Sequence, residues 1–305
     1  MNPLINTKLS GSEKLTRLLA HPDRPGFLRG EIWITPEVLL AAGLKANGEG
    51  LVGFSSSIGA DLCFFHCSGP SSRSGLEEMF ERATTTGLGS ALTVDGPFQR
   101  LAQKRGIMSL VEDLARNPLG LKSQLTQESE AVAENLRWMT DTEAKLIILG
   151  EDIAYMSGLY FSPEVFRKLF LPLYCPLVDR CSSTGRILGW HSDGDVSTVL
   201  PDMVNCGFRF FSLEWECVDL LGFKRTYGAR VTLIGGLRTD WLFLKEIDQE
   251  REQECRKDLR SLAQEGGLIL SSSCGLFRSD FVPILKHIYR LVENLRDGSI
   301  EKEGL

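Results

Sequence analysis

Apolar residues along this chain gather in short runs, and most of the runs end on a polar or ionisable residue. Six are clear: ALTVDG (91–96), KLIILGED (145–152), RILGWHSD (186–193), FRFFSLEWE (208–216), VTLIGGLR (231–238) and LILSSSCG (268–275). Two weaker ones precede them, FLRGEIWI (27–34) and DLCFFHC (61–67). Strands buried on both faces read as continuous apolar stretches and not as alternation. The segments between the runs carry helical periodicity. Eight strand-like runs alternating with helices predict an α/β chain folded as a single (β/α)8 TIM barrel. Residues 1–26 are expected to form an N-terminal helical extension and 27–305 the barrel itself.

Local signals sharpen the helices. Thr35-Pro36-Glu37 is a good helix start, with a capping threonine before a proline at the first helical position. Ser162-Pro163-Glu164 opens a long amphipathic helix that ends near Gly185. Residues 98–140 read as two helices broken at Asn117-Pro118-Leu119-Gly120, and 71–87 as a polar opening that turns helical from Gly75. A helix over 195–206 closes on Gly207 as a left-handed cap. Residues 240–265 are strongly charged and predict an exposed helix, and 280–295 supply the last one.

Composition narrows the class. Of the 305 residues, 43% are apolar and 24% charged, with a net charge of −6, ordinary values for a globular chain. No basic stripe marks a nucleic-acid surface. No run approaches the roughly 20 apolar residues of a membrane span. The opening MNPLINTKLSGSEK lacks the apolar core of a secretion signal, so a cytoplasmic location is expected. The eight cysteines form no CxxC pair and are expected as free thiols. Cys175, Cys181, Cys206 and Cys255 are assigned to helix packing.

In a barrel of this kind the C-terminal strand ends face the active site. That rule nominates Glu31, His66, Asp95, Glu151, Asp152, His191, Asp193, Glu214, Glu216, Arg238 and Cys274. His191, in GWHSDGDV, could serve as metal ligand, general base or hydrogen-bond donor. Asp193 follows two residues on and points the same way if the strand continues. Cys274 has polar neighbours and is the least core-like of the cysteines. Nitrogen, sulfur and one or two carboxylates would make a reasonable Zn²⁺ set. His66 adjoins Cys67 in an apolar run and is a candidate for substrate contact more than for metal. Gly235 and Gly236 would let backbone approach a substrate, and Arg238 could grip an anionic group in the bidentate mode.

The stretches GEDIAYMSGLYFSPEVFRKLFLPLY, GRILGWHSDGDVSTVLPDMVNCGFRFF and FKRTYGARVTLIGGLRT, in this order, resemble the uroporphyrinogen decarboxylase superfamily, a set of (β/α)8 barrels. GLILSSSCG fits the superfamily's final strand, and VDGP at 94–97 extends the likeness loosely. The decarboxylase branch carries an N-terminal Arg-Gln-Ala-Gly-Arg element, for which RPGFLRGEIW offers only Arg24 and Arg29 as stand-ins. The cobamide-dependent methyltransferase branch holds Zn²⁺ with a His-x-Cys pair after strand 5 and a Cys after strand 8. This sequence keeps His191 and Cys274 but has Asp193 at the middle position, which makes a harder, less electron-rich site. Three arrangements stay open: Asp193 is a ligand, Glu214 or Glu216 completes the set instead, or the metal is lost.

The resemblance therefore implies a zinc-dependent methyltransferase that moves a methyl group between a small molecule and a corrinoid (cobalamin) protein. In that reading Zn²⁺ sits on His191, Cys274 and a carboxylate, and Glu151 or Asp152 orients substrate or relays a proton. One alternative is a metal-free decarboxylase or lyase using His191 and Asp95 as acid–base groups. Another is a non-catalytic barrel that partners a corrinoid system.

Overall fold

The computed structural model describes residues 9–22, 26–67, 73–139, 141–264 and 267–296. Eight parallel strands follow one another along the chain: β1 (Gly26–Arg29), β2 (Leu62–His66), β3 (Gly89–Asp95), β4 (Leu146–Gly150), β5 (Ile187–Ser192), β6 (Phe210–Leu213), β7 (Thr232–Leu237) and β8 (Gly267–Ser272). Hydrogen bonding joins them in one sheet in the order β1-β8-β7-β6-β5-β4-β3-β2. Each clear apolar run supplied one strand. β4, β7 and β8 are buried at every residue, which explains why they read as unbroken apolar stretches. Each buried leucine or isoleucine there contributes about 2 kcal/mol.

The chain divides into two compact units. The first comprises Met1–Phe64, Glu78–Ser90 and Asp219–Leu305. It opens with helix Gly11–Ala20, fixed by a capping box in which Ser10 and Glu13 satisfy each other's backbone amides. Within this unit β1 pairs with β8, Leu28 beside Ile269, and β8 pairs with β7, Ile269 beside Ile234. The Asp61 N–H, just before β2, donates to the Arg29 carbonyl at the end of β1, 2.8 Å away. Arg29 is buried and held by Asp61, whose other oxygen takes Lys14 at 2.6 Å. Arg29 is thus a framework residue; Arg24 lies outside the described residues.

The second unit comprises Phe65–Glu77 and Ala91–Val218. Its register puts Asp95 beside Gly150, Gly150 beside His191 and His191 beside Ser212. A two-residue hairpin, Ala154–Tyr155 with Gly158–Leu159, follows β4. The helix expected from Ser162 runs over Pro163–Val165, then a π-wound turn Phe166–Phe170, then Leu171–Ser183. Pro172 and Pro176 each withhold an amide hydrogen there. Residues 98–140 hold three α-helices and not two, because Gly106, at φ 82°, breaks Pro97–Arg105 from Ile107–Arg116 ahead of Lys122–Met139. The helix expected from residue 195 begins only at Leu200, since Asp195 spends its carboxylate on the Ser197 amide in a turn. It does end on Gly207 in the left-handed region.

One cysteine assignment is corrected. Cys175 and Cys206, expected as separate packing thiols, are bonded to each other, because helices Leu171–Ser183 and Leu200–Cys206 bring their Cα atoms to 5.2 Å. Cys181 and Cys255 are buried thiols as expected. Among the described residues, no helix is long and apolar enough to cross a membrane.

Candidate functional site

In the second unit the end of β5 carries His191, buried at 4% exposure. Its ring is held on one side by Ser212, whose Oγ lies 2.9 Å from Nδ1. The other nitrogen, Nε2, faces two carboxylates: Asp152 Oδ1 at 3.5 Å and Asp193 Oδ1 at 3.7 Å. Ligand atoms of Asp152, His191 and Asp193 all lie within 4.8 Å of one another. Period-two alternation puts Asp193 on the same side as His191. Asp152 arrives from the neighbouring strand, where Gly150 pairs with His191. The Asp193 amide donates to Asp152 Oδ1 at 3.2 Å, which ties the two loops together.

Asp193 is half-exposed as a side chain, yet its Oδ1 is shut off from water and has no hydrogen-bond partner. Burial pushes its carboxyl up to about 6; His191 pulls it back, while Asp152 and Glu214 push it further. A buried carboxylate oxygen without a donor costs free energy unless a cation meets it. One imidazole nitrogen and two carboxylate oxygens make a set of three protein ligands, the number found in catalytic zinc sites. Ser212 Oγ holds the ring from the Nδ1 side and leaves Nε2 turned toward the carboxylates. The donor set fits a metal of the zinc class.

Glu214 anchors this arrangement from β6. Its Oε2 accepts from the Gly194 amide at 2.8 Å and from the Cys217 thiol at 3.2 Å. Gly194 sits at φ 83°, and a Cβ there would come within 2.7 Å of the hairpin backbone at Ala154 and Tyr155. The Asp195 amide donates to the Tyr155 carbonyl at 2.9 Å. The loop after β5 is therefore docked on the hairpin after β4. Glu216 is exposed.

The remaining sequence candidates fall elsewhere. Glu151, expected to orient substrate or relay a proton, is fully buried and spends its carboxylate on the Phe98 and Gln99 amides, at 3.2 and 2.9 Å. It caps helix Pro97–Arg105, and burial pushes its pKa up to about 8. Gly96 makes room for it, since a Cβ there would come within 2.3 Å of the Glu151 carboxyl carbon. His66 and Asp95 pair at 3.6 Å, with the His66 Nδ1 3.2 Å from Thr93 Oγ1.

In the first unit, Cys274 lies past β8 with its Sγ 3.6 Å from Thr239 Oγ1. Arg238, expected to grip a substrate anion, points its Nη2 at Asp258, 2.7 Å away, and its Nη1 at Glu254, 3.6 Å away. Its charge is matched within the chain. Gly235 and Gly236 adopt φ of 138° and 89°. A Cβ on Gly236 would meet Leu262 at 3.1 Å and Leu268 at 3.5 Å. Backbone conformation and the packing of helix Gln249–Gln264 both call for glycine at 236.

Two contributors escaped sequence reasoning. Ser212 is the one hydroxyl in FRFFSLEWE, two residues before Glu214 and so on the same face. Asp152 was read as a substrate-orienting group, and its place 3.5 Å from His191 Nε2 was not foreseen.

The family model for uroporphyrinogen decarboxylase (URO-D) matches residues 89–294, more than half of the chain, and the chain belongs to that family. The methylcobamide:CoM methyltransferase of Methanosarcina barkeri is 24% identical over 184 residues, 60% of this chain and 51% of the relative. The corresponding enzyme of the Fusaro strain is 23% identical over the same shares. The chain spans about half the length of the curated relatives it matches. Among solved structures, a methyltransferase from Methanosarcina mazei superposes with a TM-score of 0.67 at 14% identity, covering 93% of this chain and 99% of that one. D-psicose 3-epimerase from Clostridium cellulolyticum H10 gives 0.54 at 10% identity, covering 90% and 100%. At these identities the likeness is one of fold, and the fold is a TIM barrel.

Proposed function

We propose that this chain is a metal-dependent methyltransferase acting on a methyl group bound to oxygen, with a corrinoid on a partner protein as the other reactant. In this reading His191, Asp152 and Asp193 hold Zn²⁺. Bound there, the metal would polarise the donor oxygen as a Lewis acid. A carboxylate where a thiolate stands in the methyltransferase branch suits oxygen better than sulfur.

The chain's own residues do the rest. Ser212 accepts from Nδ1–H, so that Nε2 presents its lone pair toward the two carboxylates. Glu151 fixes the segment that leads into Asp152 through the amides of helix Pro97–Arg105. Glu214 and Gly194 hold the loop that carries Asp193. Names of the related methyltransferases support the reaction class.

The observation that carries this reading is the buried, donorless Oδ1 of Asp193 beside His191 Nε2 and Asp152. The test begins with elemental analysis of full-length protein purified without chelators and supplied with zinc. About one equivalent is expected, and less than about half would remove the metal. Methylation of free cob(I)alamin by methyl ethers, followed by absorbance, then reads the reaction. Turnover of a carboxylated substrate by metal-free protein would put the lyase reading in its place.

A further inference from the structure

Four residues share one level of the sheet in the second unit: Asp95 on β3, Gly150 on β4, His191 on β5 and Ser212 on β6. Residues paired in register point to the same side, so Asp95 and His191 project in one direction from strands two apart. Their Cα atoms are therefore separated by about 10 Å, two inter-strand spacings. The strand between them contributes Gly150, which has no side chain to fill the interval. His191 belongs to the candidate metal group. Asp95 belongs to a second imidazole–carboxylate pair that the proposed reaction has not used.

That pair is built, not incidental. The Cys67 amide donates to the Thr93 carbonyl at 2.9 Å, which lays His66 alongside β3. Thr93, fully buried, places its Oγ1 3.2 Å from His66 Nδ1. Asp95 Oδ2 lies 3.6 Å from His66 Nε2, an ion-pair separation, and is itself steadied by Gln103 Nε2 at 3.0 Å. The imidazole is thus oriented from one nitrogen and given a counter-charge near the other. The His66 side chain is 41% exposed, so it can exchange protons with water.

A methyl group leaving oxygen creates a need for this device. The carbon–oxygen bond breaks with its electron pair on oxygen. The carbon–cobalt bond forms with the pair of a Co(I) corrinoid, which becomes Co(III). The oxygen departs as an anion and requires one proton. We infer that His66 is the general acid that protonates the departing oxygen of a substrate held at the His191 group, with Asp95 and Thr93 as its positioning residues. This rests on the methyl-transfer reading above. Neutral His66 recovers its proton from water.

The experiment has three arms on zinc-loaded, full-length protein. His66→Gln is expected to keep the zinc stoichiometry of the wild type; loss of the metal would make His66 a ligand and overturn the proposal. Nitrogen-15 NMR of the His66 ring is expected to show the Nε2 resonance move in Asp95→Asn and the Nδ1 resonance in Thr93→Val. A ring that responds to neither change overturns the pair, whatever the enzyme turns over. With free cob(I)alamin and a graded set of substituted anisoles, His66→Gln should lower kcat about 100-fold for the poorest leaving groups and little for nitroanisole, at nearly constant KM. An equal loss for all of them overturns the acid role. Wild-type protein inactive toward every ether, with the NMR response intact, removes the methyl-transfer reading and leaves the pair standing.

Discussion

Glu31 in the first unit and Asp193 in the second are both strand-end carboxylates, and they meet opposite fates. Glu31 is 2% exposed and takes the Ser272 amide at 3.0 Å, the Tyr289 hydroxyl at 2.7 Å and the hydroxyls of Ser271 and Ser272. Every lone pair it turns inward finds a donor. Asp193 turns an equally sheltered oxygen inward and finds none. Arg238 has the opposite charges of Asp258 and Glu254 beside it, whereas in the His191 group two carboxylates crowd one imidazole. A sheltered carboxylate oxygen without a donor, next to a second carboxylate and an imidazole, is a candidate position for a cation.

The largest effect should come from removing the imidazole that faces the two carboxylates. His191→Ala is expected to weaken zinc binding more than about 100-fold, since even an outer contact to a metal-bound histidine is worth 10–100-fold. Elemental analysis after dialysis reads this, and the apo-protein should lose some stability as well, because a buried imidazole is removed. Unchanged zinc content would erase the contrast between the units.

Gly236→Val tests the opposite side. A β-branched residue at φ 89° is strained and presses on Leu262, so unfolding in urea should show a loss of about 2–4 kcal/mol. Whatever fraction remains folded should bind zinc normally. A stable variant with defective metal binding would place Gly236 at the site.

Ser212→Ala should lower zinc affinity about 10–100-fold by releasing the imidazole's orientation, measured by competition with a chromogenic chelator. Stability should also fall, by about 1–3 kcal/mol, because the buried imidazole loses its partner at Nδ1.

The smallest effect concerns pH. Burial raises the Glu31 pKa despite its donors, so between the ordinary carboxylate value and the raised one the folded chain holds a proton that the unfolded chain has released. Stability from this group is full below the unfolded value, near 4.3, and declines as pH rises through the folded one. Glu31→Gln should flatten that decline in urea titrations at successive pH values. An unaltered slope would mean that the donors outweigh burial.

How far the sequence exposes all this depends on how local each feature is. The buried strands were legible because burial on both faces writes an apolar run into the chain, as in LILSSSCG for β8. FLRGEIWI was only half strand, β1 stopping at Arg29. His191 and Asp193 were legible through two-residue alternation. Asp152's membership was not, since it follows from the register of β4 on β5, a pairing that leaves no local trace. The hairpin after β4 and the π-wound turn at Phe166–Phe170 were equally silent. The Cys175–Cys206 bond depends on two helices meeting, which spacing alone does not reveal.

That bond closes a loop with a sequence separation of 31, and the loop contains all of β5 with His191 and Asp193. In the chain-entropy account such a ring restricts the unfolded ensemble by about 4 kcal/mol. It also changes what damage looks like. A protease cut between the two cysteines would leave both fragments covalently joined, and the nicked chain would migrate near full length on a non-reducing gel and separate only after reduction. The segment that presents the imidazole is therefore retained by the molecule even when its backbone is broken.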